Sequence, residues 1–374
     1  MSTGKKYYLI AGEASGDLHG SNLIRELRQL DTNADIRCWG GDKMEAAGAT
    51  LVKHYRDLAF MGFTEVLMNL RTIFRNLAFC KEDILAFKPD VLVLIDYPGF
   101  NLRIAKWAKQ QGIRIVYYIS PQVWAWKEGR VKMMKQCIDK MLVILPFEKD
   151  YYRDRWNWDV TYVGHPLVEV IEKAQAAPLP SFSEKPVIAL LPGSRKQEIS
   201  KKLPIMLGVC RHFPDYQFIV ARAPGVEDSF YDALIQDYNN VSYVTNQTYD
   251  LLRQSKAALV TSGTATLETA LFAVPEVVCY KGSPISYEIA KRVIKIKYIS
   301  LVNLIMDKLV VTELIQHDLT TENLKRELGK LLNDEKTKET LAADYAALKD
   351  LLSRGGNASA KAAVHVAAMA NGEA

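Results

Sequence analysis

The segment Tyr7-Tyr8-Leu9-Ile10-Ala11-Gly12-Glu13-Ala14-Ser15-Gly16-Asp17-Leu18-His19-Gly20 decides the fold. Tyr7 to Ala11 have the length and the apolar, aromatic content of a buried strand. A glycine-bearing polar loop follows, and a helical pattern starts near Leu18. Strand, short loop, then helix is the opening of a parallel crossover unit. The same order recurs outward. Strand-length runs stand at Ile36–Trp39, Val91–Ile95, Ile113–Ile119, Met141–Leu145 and Thr161–Val163, each with a helix-period segment nearby. Such alternation predicts an open parallel sheet covered by helices on both faces.

Between Pro166 and Pro186 the texture changes: Pro178, Pro180, Ser181, Ser183 and Pro186 cluster as a linker would. The pattern then restarts at Val187–Leu191, Phe218–Ala221, Val241–Val244, Ala258–Thr261 and Val277–Tyr280. We expect a first α/β domain over residues 1–168, a second over 186–345, and a C-terminal helical segment over 346–374. By analogy with two-domain α/β enzymes, that last segment crosses back to the first domain. Two such halves predict a cleft between them, with the chemistry in loops after strands.

The whole-chain numbers bound this reading. With 374 residues, 49% hydrophobic and 24% charged, the chain is neither disordered nor fibrous. No apolar run approaches the ~18 residues of a membrane span. A formal charge of +5 is too small, and too dispersed, to imply nucleic acid. Five widely spaced cysteines without a CxxC pair suit a reducing compartment rather than a disulfide framework or zinc site. The polar start from Ser2 to Lys6, with only a short apolar run behind it, does not read as a secretory signal.

Five loops carry candidate chemistry. In Gly12–Gly20 the helix start favours an anion. Glu13, Asp17 and His19 exceed what capping needs, although Ser15 or Asp17 reads equally as a cap. Asp96 ends a five-residue apolar run, where partial burial would raise its pKa and suit it as a general base. It reads equally as a cap or Asx-turn before Pro98. Ser120–Lys127 holds Trp124 and Trp126, either packed between helices or walling a sugar or acyl chain. Leu191-Pro192-Gly193-Ser194-Arg195 offers turn amides and a guanidinium suited to phosphate, unless Arg195 merely pairs with Glu198. Ser262-Gly263-Thr264-Ala265-Thr266-Leu267-Glu268 again runs from strand to helix. Its amides suit a diphosphate and Glu268 suits ribose hydroxyls, the alternative being an ordinary capped helix. Neither a dinucleotide fingerprint nor a Walker A loop is present.

Phe60 to Phe87 is apolar with Arg71 and Arg75 interspersed, a pattern that suits a core helix, a bilayer interface or acyl chains. Lys127–Lys140 and Lys281–Lys297 are locally basic, which adds attraction to anionic lipid.

Read in order, these stretches resemble the bacterial lipid-A-disaccharide synthase family. The matching segments are Ala11–Gly20, Met61-Gly62-Phe63-Thr64-Glu65-Val66-Leu67, Asp96-Tyr97-Pro98-Gly99-Phe100-Asn101 and Ser120–Lys127. They continue with Leu145-Pro146-Phe147-Glu148-Lys149, Val163-Gly164-His165-Pro166-Leu167, Leu191–Arg195, Ser262–Glu268 and Ser300-Leu301-Val302-Asn303-Leu304-Ile305. Each motif alone is weak; nine in the right order are specific. This sequence departs from the family at Tyr97, where many members carry Ala or Ser. It departs also at Gly99, where an acidic residue is common, and at Val302, which replaces a Pro.

The resemblance implies a GT-B fold, with two Rossmann-like domains, an interdomain cleft and C-terminal helices. It implies an inverting glycosyltransferase that joins UDP-2,3-diacylglucosamine to 2,3-diacylglucosamine 1-phosphate. The products are a β(1→6) disaccharide 1-phosphate and UDP. Asp96 then matches the base on the acceptor hydroxyl, and Glu13 and Ser15 match first-loop residues needed for activity. Arg195, Ser262, Gly263, Thr264, Glu268 and Asn303 fall on the nucleotide side. No cofactor is implied, since the UDP-sugar is a substrate, and no metal, since no DxD-type pair stands in a suitable loop. The implied setting is cytoplasmic, at the inner membrane surface, and a homodimer is left open. The alternatives are another UDP-sugar enzyme on the same architecture, an N-acetylglucosamine epimerase or peptidoglycan-precursor glycosyltransferase, or a non-catalytic UDP- or lipid-binding protein.

Overall fold

The computed structural model describes residues 4–58, 70–283, 287 and 297–373. The motif Met61–Leu67, the front of the Phe60–Phe87 segment and most of Lys281–Lys297 lie outside them. The chain divides into two compact units, Met1–Pro166 with Ser353–Ala374, and Leu167–Leu352.

The first unit holds seven parallel strands: β1 (Lys6–Ala11), β2 (Asp35–Gly40), β3 (Thr50–His54), β4 (Val91–Ile95), β5 (Ile115–Tyr118), β6 (Lys140–Val143) and β7 (Thr161–Tyr162). Their order is β3-β2-β1-β4-β5-β6-β7. Successive residues of β1 serve opposite faces. Tyr8 and Ile10 join one buried cluster, with Leu92, Leu94 and Tyr117. Tyr7, Leu9 and Ala11 join the other, with Val91, Val93 and Tyr118. A strand buried on both sides reads as a continuous apolar run, which is why Val91–Ile95 was legible.

The second cluster also takes Ala362, Ala363, Val366 and Ala370 from the helix Ala358–Asn371. These small side chains let that helix lie close against Leu23, Ile24 and Leu27 of the helix Ala14–Leu30. Asn357 caps its first turn through the Ala360 N–H, and Arg114 donates to the Met369 and Ala370 carbonyls at its end. Both ends are thereby satisfied.

The second unit repeats the plan with β8 (Val187–Leu191), β9 (Gln217–Arg222), β10 (Val241–Thr245), β11 (Ser255–Thr261), β12 (Glu276–Tyr280) and β13 (Thr312–Ile315), in the order β10-β9-β8-β11-β12-β13. Where the sequence suggests a linker from Pro166, the chain first forms a helix, Pro166–Gln175. Its Pro stands at the helix start, where a missing N–H costs nothing.

In each sheet the strand order reverses once, between β1 and β4 and between β8 and β11. At such a reversal the crossover helices leave on opposite faces and open a crevice beyond the strands' carboxyl ends. The loops Gly12–Gly20 and Asp96–Asn101 follow one such pair of strands. Pro192–Arg195 and Ser262–Glu268 follow the other.

Candidate active site

In the first unit the structure brings Glu13 and Asp96 together. Asp96 closes β4 with a φ of 45°, and Tyr97 follows at 48°, so both sit in the left-handed region. Non-glycine residues hold that conformation only where neighbours enforce it. Here the Asp96 N–H donates to the Tyr118 carbonyl. Its own carbonyl accepts from the Tyr117 hydroxyl at 2.6 Å and from the Asn101 amide at 2.8 Å. Asn101 also donates to the Ile10 and Ile95 carbonyls, tying β1 to β4. With its backbone clamped on both sides, the Asp96 carboxyl is aimed rather than free. Burial, then the Glu13 charge, pushes it up to about 6, partly opposed by the Tyr97 N–H. That value suits a base that must be ionised near neutrality and still accept a proton.

The other first-loop residues separate by role. Ser15 is exposed in the first turn of its helix, whose N-cap is Glu13. Asp17 is structural: its carboxylate accepts from the Gly41, Lys43 and Met44 N–H groups and caps the helix Asp42–Ala46, which has Gly at its own N-cap. His19 is buried, with no hydrogen bond to Nδ1 among the described residues. Burial and Lys43 hold it down at about 4. Nearby His165 is held at about 3 by burial and by His19. Neither is a cation at neutral pH.

A third carboxyl was missed in the sequence reading. Glu148, on the helix Pro146–Trp156, is buried, and the Asp96 charge helps to raise its carboxyl. It accepts from the Leu145 N–H at 3.0 Å and from the Trp124 indole at 3.2 Å. The available signal was its place three residues after the N-cap, where Glu reaches back to a backbone amide. Through Trp124 it fixes the short helix Val123–Trp126, while Ser120 bonds the Tyr152 hydroxyl at 2.7 Å. Trp124 is therefore anchored, and Trp126 is exposed with Lys127 over its face.

Burial pushes Glu148 up to about 8. A carboxyl raised by folding stabilises the fold in its protonated form, and that contribution is lost as pH rises through the folded value. Glu148→Gln is expected to cost about 1–3 kcal/mol, because only one amide oxygen remains to accept two N–H groups. It should also flatten the fall in stability between roughly pH 4.5 and pH 8, the unfolded and folded values. Denaturant midpoints across that range check both.

In the second unit Ser194, Ser262, Gly263, Thr264, Glu198 and Glu268 line a cavity of about 340 Å³ beyond the carboxyl ends of β8 and β11. Gly263 has a φ of 147°, a conformation few side chains tolerate, and it caps the helix Thr264–Leu271. The first N–H groups of that helix have no acceptor within it and suit an anion. Ser262 donates to the Ile299 carbonyl. Glu268 accepts from the Tyr249 hydroxyl at 2.7 Å, and burial pushes its carboxyl up.

Two nucleotide-side residues stand elsewhere. Arg195 does not line this cavity; its guanidinium lies 3.4 Å from Glu198, which does. Asn303 is fully buried and does not line it either. Its amide donates to the Val311 carbonyl and to Glu313, and accepts from the Val310 and Val311 N–H groups. Glu313 in turn accepts from the Ile299 and Ser300 N–H groups. Asn303 therefore reaches Ser262 only through a scaffold. Among the described residues, no three His, Cys, Asp or Glu side chains gather as metal ligands would.

Two open parallel sheets with the same order, each carrying polar loops at its reversal point, define a GT-B class protein. Solved structures agree on the fold. A UDP-GlcNAc 2-epimerase from Neisseria meningitidis bound to UDP-GlcNAc superposes with a TM-score of 0.67 at 14% identity, over 96% of this chain and 98% of that one. A calicheamicin glycosyltransferase gives 0.62 at 17%, over the full length of both. The chain belongs to the lipid-A-disaccharide synthetase family, which it matches over residues 7–367. The lipid-A-disaccharide synthase of Geobacter sulfurreducens is 37% identical over 365 residues, 95% of each chain. Lipid-A-disaccharide synthase 1 of Legionella pneumophila subsp. pneumophila is 36% identical over 364 residues, 94% of each. The chain is thus a glycosyltransferase of lipid A biosynthesis, and the epimerase alternative is not favoured.

Proposed function

We propose that the chain joins UDP-2,3-diacylglucosamine to the 6-hydroxyl of 2,3-diacylglucosamine 1-phosphate. The observation that carries the chemistry is the clamped Asp96 carboxyl, raised toward neutrality at the reversal point of the first sheet. Asp96 takes the hydroxyl proton as the oxygen bonds to the anomeric carbon. The bond from that carbon to the diphosphate breaks, and UDP leaves with the electron pair. Inversion follows from attack opposite the leaving group. Glu13 keeps Asp96 basic, and Ser15, exposed in the first turn of the helix that Glu13 caps, is assigned to the acceptor.

The donor's diphosphate is assigned to the cavity at Ser262, Gly263 and Thr264, with Glu268 toward the ribose. Arg195 adds charge by exchanging Glu198 for phosphate oxygens, and Asn303 supports Ser262 from behind. Arg195→Ala is expected to weaken UDP binding about tenfold, as a lost charge-assisted contact would. Titration calorimetry with UDP checks this, and unchanged affinity removes Arg195 from the site.

Amide dipoles and a guanidinium are the proposed source of leaving-group stabilisation, in place of a metal. Activity should then survive exhaustive treatment with EDTA; loss restored by a divalent cation would refute that.

Acyl chains call for an apolar surface. The described helix Leu70–Phe87 exposes Phe74 (64%) and Phe79 (43%), with Arg71 and Arg75 alongside. We assign this face to the acyl chains and the cytoplasmic face of the inner membrane, visited peripherally. No helix among the described residues is long and apolar enough to cross a membrane. The deciding experiment is incubation with both acylated sugars and mass analysis of the product. A disaccharide 1-phosphate is expected, and its absence, or equal use of unacylated UDP-sugars, would overturn the reading.

A further inference from the structure

The nucleotide cavity is lined by an acid that a diphosphate should find repulsive. Glu198, in the first turn of the helix Lys196–Cys210, is half-buried there. The positive end of the helix favours a carboxylate at this position, so the helix accounts for Glu198. It does not account for Lys202, one turn further on and only 3% exposed. Its helix neighbours Ile199, Leu203 and Met206 are core residues. Lysine is almost never buried to that degree unless it is paired, because its charge is costly out of water.

The partner is Glu198, and its carboxylate is shared. Oε1 lies 3.4 Å from the Arg195 guanidinium, and Oε2 lies 3.7 Å from the Lys202 ammonium. Spacings of three and four residues set the three side chains along one helix face. The two cations differ in freedom: the Arg195 side chain is exposed, whereas Lys202 is enclosed and does not line the cavity. The Pro192–Arg195 loop lies directly over the pair. A Cβ on Gly193, whose φ is 119°, would fall 2.9 Å from Glu198 Oε2 and 3.6 Å from Lys202 Nζ. The loop thus approaches the acid and the ammonium through a residue without a side chain.

We infer that Lys202 is a positioning residue for the donor, retaining Glu198 when the diphosphate draws Arg195 away. The inference rests on the assignment of the diphosphate to this cavity. In the empty site Glu198 bridges both cations. Once phosphate oxygens take the guanidinium, the carboxylate loses one of its two counter-charges and faces an anion. The Lys202 charge, enclosed and therefore weakly screened, holds the carboxylate against the helix and offsets its repulsion. Lys202 acts through Glu198 and touches no part of the donor.

The test is titration calorimetry with UDP on the full chain and on Lys202→Met, Glu198→Gln and the double variant. Lys202→Met keeps the volume and removes the charge, and it should weaken UDP binding about tenfold. Glu198→Gln removes the competitor for Arg195 and should tighten UDP binding about threefold. The double variant should bind at least as tightly as the native chain, because Lys202 is dispensable once the acid is gone. A merely structural lysine would give no such rescue. Native affinity in Lys202→Met, weaker binding in Glu198→Gln, or a double variant as weak as Lys202→Met would each overturn the inference. Should Lys202→Met not fold, the other two variants decide: binding at least as tight as native in both supports it, and weakened binding in either overturns it. If the native chain fails to bind UDP, or binds it equally well as Arg195→Ala, the assignment of the diphosphate falls and this inference with it. If UDP binding depends on Arg195 and not on Lys202, this inference alone falls.

Discussion

Asp96→Asn is expected to lower turnover by about 100- to 10,000-fold, the range of a lost general base, and to leave UDP binding at its native value. Asn is the informative replacement. It tolerates the left-handed backbone that Asp96 occupies, whereas Ala would add strain to the loss of the carboxylate. The clamp from Tyr117, Tyr118 and Asn101 acts on the backbone and survives the change. The sign of the pH effect follows from the raised pKa. A base works ionised, so the native rate should climb with pH through about 6, and Asp96→Asn should lose that limb. Glu13→Gln removes the neighbouring charge and should move the limb to lower pH. Steady-state rates across pH, paired with UDP titrations, measure all of this. An equal loss of UDP affinity, or an acid limb unchanged in Asp96→Asn, would remove Asp96 from the role of base.

The strands that the sequence pattern exposes most sharply are those whose faces are both buried, while two half-exposed edge strands, at Thr161 and Val241, are marked as well. Val91–Ile95 and Val187–Leu191 were legible to the residue because nothing in them meets water. The strands it missed, Thr50–His54 and Thr312–Ile315, lie at sheet edges. Their half-exposed faces admit Lys53, His54 and Glu313, so no apolar run forms. The loops were legible for a related reason. A loop that follows an inner strand at the reversal point must hold polar groups at the rim of an apolar sheet, and Asp96 and Ser262 stand out against Val91–Ile95 and Ala257–Val260.

Roles inside those loops were less legible, because a side chain's partner is set by distant chain. Asp17 and Glu13 look alike in the sequence. Only the fold shows that Asp17 is consumed by Gly41, Lys43 and Met44 while Glu13 faces Asp96. Asn303 carried a motif signal, and its partners Val311 and Glu313 show that signal to be scaffolding. Lys202 carried no motif at all; it is visible only as a charge where packing calls for a hydrocarbon.

Gly12→Ala is expected to destabilise the first unit by about 1–3 kcal/mol, the usual cost of overpacking, and to remove most activity with it. A Cβ on Gly12 would fall 2.2 Å from the Tyr97 ring, so the ring must leave. Tyr97 is the N-cap of the helix Pro98–Gln110, follows Asp96 directly, and stacks on Phe100 with ring centroids 5.8 Å apart. Displacing it therefore disturbs the turn that aims the carboxyl. The two reversal-point loops are thus coupled: close approach of the first, permitted by a missing side chain, seats an aromatic of the second. A double-mutant cycle isolates the coupling. Tyr97→Ala removes the ring that clashes, so Gly12→Ala should cost far less in its presence than alone. Denaturant midpoints and turnover are measured for the four chains. If the two substitutions simply add, the ring contact is not the reason for glycine at position 12, and the cost must come from the loop's own backbone.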